Sequence, residues 1–246
     1  MIGKIEKLLN MDDYDLEAVF TPAIVNMLIL GIMFTCTILF IAEDTVWWNT
    51  ILAVVAPLAA AVVITRFTMH FFRAVSRIVF EDILYRKDRL YFPTTSMLLL
   101  GDNSTGVSLI MKKRVRDDLK SLYNITLFTK AKEDADEMEA RRTAKDAVAL
   151  IRKTVAESND VMTRRKLKRY GVFRNFLGGA VFCLHLSIAC WAIDFSLKST
   201  CDPIILTALF LYLLIVVVDF FITKSAAVDY AETLITTFDK LNHDEA

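Results

Sequence analysis

Metal-ligating and nucleophilic side chains are scarce and scattered. The three histidines stand at positions 70, 185 and 243. The four cysteines, Cys36, Cys183, Cys190 and Cys201, show no metal-ligand spacing. The chain contains no HExxH, no CxxC pair, no GxGxxG, no GxSxG and no GxxxxGK followed by Ser or Thr. These absences exclude the familiar zinc-protease, dinucleotide, phosphate-loop and nucleophile-elbow chemistries. The chain is therefore not expected to be an enzyme, and neither a cofactor nor a metal site is expected. Cys183 and Cys190 read as small apolar packing residues on one helix face. Cys201 is the one cysteine expected on the outer side, where an intermolecular disulfide is open to it.

What is abundant is apolar sequence. Hydrophobic residues make up 55% of the chain, above the roughly 45–50% of ordinary globular domains. A bilayer core about 30 Å thick needs about 20 apolar helical residues. The windows Ala23–Ala42, Trp48–Phe67, Phe176–Ser196 and Ile204–Thr223 meet that demand. The chain thus reads as all-α, with a four-helix transmembrane region made of two hairpins, 21–67 and 175–223. A mainly helical cytoplasmic domain, 68–174, is inserted between helices two and three. Residues 1–20 form a cytoplasmic N-terminal segment and 224–246 a cytoplasmic C-terminal helix. No cleavable signal peptide is expected, because Asp12, Asp13, Asp15 and Glu17 precede the first apolar run. Thr21 followed by Pro22 reads as a helix start.

Residues 67–174 carry 23 of the 29 Lys and Arg and 14 of the 29 acids. By the positive-inside rule the middle segment and both termini lie in the cytoplasm. Trp47, Trp48 and Trp191 then fall at the outer interface.

Within the middle segment, Phe67, Phe71, Ala74, Val75, Ile78 and Tyr85 continue helix two as a stalk that ends before Pro93. In the loop "GDNSTG", Asp102 or Ser104 is expected to cap the next helix. That helix carries a stripe of Val107, Ile110, Met111, Val115, Leu119 and Leu122, flanked by bases. A further helix from about Lys132 to Glu157 packs through Ala144, Ala147, Val148, Ile151 and Val155. The cluster Lys112, Lys113, Arg114 and Arg116 is the expected ligand-binding set, because clustered bases attract phosphates. The run Arg164–Arg169 is juxtamembrane and suits the inner leaflet.

Polar groups at membrane depth are costly and hence functional suspects. His185, in the middle of helix three, lines a pore or is a neutral histidine bonded to a neighbouring helix. Asp219 is near the cytoplasmic end, where an ion pair with Lys224 competes with an ion pathway. Pro57 provides a hinge in helix two. Asn26 and Asp194 read as ordinary helix-end polar residues. "GGA" at Gly178 to Ala180 allows close helix approach.

The layout, together with "FEDILYRKDRLYFPTT", "KKRVRDDL" and "KRYGVFRNFLGG", resembles four-pass membrane effectors of bacterial anti-phage (abortive-infection) operons, of the kind encoded beside nucleotidyltransferases. The resemblance implies a homo-oligomeric inner-membrane channel or pore-forming effector gated by its basic cytoplasmic domain. It also implies a nucleotide or oligonucleotide signal, or a soluble partner protein from the same operon. The alternative is a membrane scaffold that recruits a soluble partner.

Overall fold

The structure, a computed structural model, describes residues 13–41, 55, 59, 63–65, 68–102, 106–198 and 203–243. Most of the second apolar window lies outside the described residues, Pro57 with it, as do Ser104, Cys201 and the side chains of Cys36 and Asp194. Every regular element among the described residues is helical. The chain divides into two compact units: Met1–Phe80 with Gly171–Thr223, and Glu81–Tyr170 with Lys224–Ala246.

In the first unit, a helical segment starting at Asp13 runs through a π-helical stretch, Leu16–Phe20, into α1, Thr21–Ile41. The helix therefore does not begin at Thr21. Pro22 has no N–H to offer, which in α register leaves the Ala18 carbonyl without its partner. Asn175 supplies a substitute, its Nδ2 donating to Ala18 O. Residues 68–76 form α2, which continues into π-helical Arg77–Asp82. Val19, Ala23, Met27, Met69 and Phe72 make one core cluster, and Leu30, Ala180, Cys183 and Tyr212 a second. The Phe182 ring is 5.2 Å from the Phe72 ring, and it packs against both clusters.

In the second unit a turn ends in Phe92, extended at φ −64°, ψ 142° as a residue before proline must be, and Pro93 opens the short α3, Pro93–Ser96. Helix α4, Leu109–Tyr123, is capped by Ser108, whose side chain accepts from Met111 N at 3.3 Å. Neither Asp102 nor Ser104 fills that position. Asn124 closes α4 in the left-handed region at φ 54°, and Ile125 N bonds Leu119 O behind it. The helix expected from Lys132 to Glu157 is broken at Asp136 into α5, Lys130–Ala135, and α6, Glu137–Glu157. Asp136 leaves helical geometry and caps α6 by accepting from Glu139 N at 3.1 Å. Ala144, Ala147, Val148, Ile151 and Val155 are all buried as expected.

Two long helices follow, α7, Val161–Lys198, with 38 residues and α8, Pro203–His243, with 41. Both are long and apolar enough to cross a membrane. Each contributes residues to both units. Phe210, Leu213, Leu214, Val217, Val218 and Phe221 of α8 are exposed.

Candidate functional site

The four bases of α4 do not share a face. Lys112 and Arg116 are four residues apart and stand with Val115 and Leu119 on the buried side. Ile110 and Leu122, expected in the stripe, are exposed instead. Lys112 is 1% exposed, and its Nζ donates to Leu99 O at 3.0 Å and also to Asp102 O. Burial pushes its pKa below the usual lysine value, while the Asp102 and Glu133 carboxylates hold it up. The Arg116 guanidinium reaches Glu133 Oε1 and Leu98 O, each at 2.8 Å, and also donates to Phe128 O. Lys113 is exposed, and Arg114 Nε lies 3.2 Å from Asp239 Oδ1.

Around Lys112 and Arg116 the fold has built an anion cradle and filled it from within. Glu133, 4% exposed, accepts from Leu100 N at 2.9 Å and Gly101 N at 3.0 Å while pairing with Arg116. The amides at the start of the "GDNSTG" loop thus hold an internal carboxylate. The open pocket beside them, about 530 Å³, is lined by Asp102, Glu133, Asp134, Glu137 and Arg141 together with Leu99 and Gly101. Arg141 binds Ser96 Oγ at 3.1 Å and Glu137 at 2.7 Å, and its guanidinium lies 3.9 Å from the Tyr91 ring centre. The hydrogen bond from Arg141 holds the Glu137 carboxyl below its ordinary pKa.

In the first unit the polar residues form a network that reading along the chain undervalued. Asn26 is fully buried; its Nδ2 donates to Pro22 O at 3.0 Å and Phe176 O at 3.2 Å, and its backbone carbonyl accepts from Tyr212 OH at 2.9 Å. Ser76 Oγ donates to Asn175 Oδ1 at 3.1 Å. Close approach makes these contacts possible. A Cβ added at Gly178 would lie 2.5 Å from Phe72 O, and one at Gly179 would lie 2.6 Å from Asn26 Nδ2. Apart from the local Asn26–Pro22 bond, the partner groups are 99 to 186 residues apart in the chain, so only the fold reveals the network.

Asp219 and Thr223 stand one turn apart on α8 and are both buried. Asp219 Oδ2 and Thr223 Oγ1 are shut from solvent without a hydrogen-bond partner among the described residues. Lys224 is exposed and forms no ion pair with Asp219. His185 faces outward from α7, with Nδ1 2.7 Å from Val181 O. No family model, curated protein or solved structure matches this chain.

Proposed function

We propose that the chain is a homo-oligomeric membrane channel or pore-forming effector of a bacterial inner membrane, gated by its basic cytoplasmic domain. His185 carries this reading. It lies outward-facing in the apolar middle of α7, where an imidazole turned to lipid would be strongly disfavoured. Contact with a second copy, or with a wet path between copies, removes that cost. The buried Asp219 and Thr223 oxygens on α8 add a second polar locus at membrane depth. Four thin helices enclose little alone, so conduction falls to the interface of a closed ring.

The two hairpins, with cytoplasmic termini, follow from the apolar windows and the basic middle segment. Both α7 and α8 contribute residues to both units. The trigger is a nucleotide signal or an operon partner, as the resemblance implies. With Lys112 and Arg116 engaged internally and Arg114 paired with Asp239, the exposed Lys113 is the member of the cluster left to meet it.

Cysteine accessibility tests the carrying observation. In a background with the four native cysteines replaced by alanine, His185→Cys is expected to react with a membrane-impermeant thiol reagent. Complete protection in the assembled protein would contradict a wet path at this position. A scaffold role has its own support in Leu109 and Ile110, exposed at the start of α4. Recruitment of a soluble partner by an oligomer that never conducts would favour it.

A further inference from the structure

Asp118 on α4 meets Asp239 and His243 near the end of α8. One ligand atom from each of the three lies within 4.8 Å of the other two. His243 Nε2 is 3.3 Å from Asp118 Oδ2 and 3.9 Å from Asp239 Oδ1. Ligands about 2.0–2.2 Å from a tetrahedral zinc ion lie roughly 3.3–3.6 Å from one another; the His243–Asp118 distance meets that range, and the 3.9 Å from His243 to Asp239 lies a few tenths of an ångström beyond it. Asp239 and His243 are four residues apart, which puts both on one face of α8.

Charge pairing alone does not account for the cluster. Arg114 Nε lies 3.2 Å from Asp239 Oδ1. Yet Asp239 Oδ1 and Asp118 Oδ2 are both shut from solvent and accept no hydrogen bond from any described residue. Asp239 is 6% exposed. Buried carboxylate oxygens without donors are costly, and a cation between them removes the cost. The His243 side chain is 37% exposed, which leaves an entry path and room for water in a remaining position.

We infer that Asp118, Asp239 and His243 form a divalent-cation site that ties α4 to the C-terminal end of α8. One imidazole nitrogen with two carboxylates suits Zn²⁺ and neighbouring late first-row ions over Mg²⁺ and Ca²⁺. The inference is independent of the channel reading.

The test is calorimetric titration of chelator-treated, detergent-solubilised full-length protein with Zn²⁺, with Co²⁺ absorption reporting the geometry. One equivalent is expected to bind. His243→Gln and Asp239→Asn should each weaken binding by more than the roughly 10–100-fold that loss of an outer-shell partner costs. His243→Gln, at an exposed helix end, keeps the test valid if Asp239→Asn fails to fold. Arg114→Gln removes the competing guanidinium and is expected to tighten binding. Wild-type protein that takes up no Zn²⁺, or uptake that survives His243→Gln undiminished, would overturn the site.

Discussion

A lysine in a basic run can keep its charge in water or bring it inside to groups that accept its hydrogen bonds. Lys112 takes the second course, with the Leu99 and Asp102 carbonyls as acceptors. Lys112→Met would leave both carbonyls without that donor and is expected to destabilise the protein by about 1–3 kcal/mol. Lys113→Met, on the exposed side, should change stability by less than about 0.5 kcal/mol. Thermal or urea unfolding distinguishes them, and equal effects would contradict the inward assignment. The pH dependence has a definite sign. Below the lowered native pKa both folded and unfolded chains hold the proton, and the cost of burying the charge is felt in full. Between that value and the ordinary 10.5 the unfolded chain binds more protons, so stability rises with pH relative to Lys112→Met. The inward turn was partly legible, since 112, 115, 116 and 119 follow helical-face spacing. The acceptors were not, because they are backbone carbonyls from a loop that lies ten and thirteen residues back. Asn26 was illegible for a similar reason: its partner Phe176 O is 150 residues away.

At the scale of elements, local chemistry predicted most of what it governs. The buried stripe of α6 follows from apolar periodicity alone, and the turn before Pro93 from the proline. The break at Asp136 carried a signal too, an Asp followed three residues later by Glu139, which is a capping-box pattern. In α4 the capping serine also stands where such a residue belongs, but the earlier Asp102 and Ser104 competed with it. The outward turn of Ile110 and Leu122 follows from tertiary packing. Close helix contact in the first unit is tested at Gly178. Gly178→Ala places a methyl 2.5 Å from both Phe72 O and Ser76 Cβ, and it should cost about 1–3 kcal/mol through overpacking. Gly101→Ala meets its nearest neighbour at 3.6 Å and serves as the neutral control. Unchanged thermal stability of Gly178→Ala would show that these helices separate freely.

For the whole molecule, hydropathy and charge asymmetry carry the reading. At about 1.5 Å per residue, about 20 residues cross the apolar core. The 41 residues of α8 therefore exceed one crossing by about as much again. A reporter that works only in the cytoplasm, fused after residue 100 or at the C-terminus, is expected to be active at both points. Activity of a periplasm-dependent reporter at either would reverse the orientation. Conduction by the assembled protein is the central claim. The most direct measurement is ion release from liposomes containing the purified oligomer, with and without a small-molecule extract of phage-infected cells. The wild-type protein is expected to release ions in one of these conditions, and His185→Leu to change that flux while the amount of oligomer stays the same. A wild-type oligomer that remains impermeable in both conditions would contradict the account.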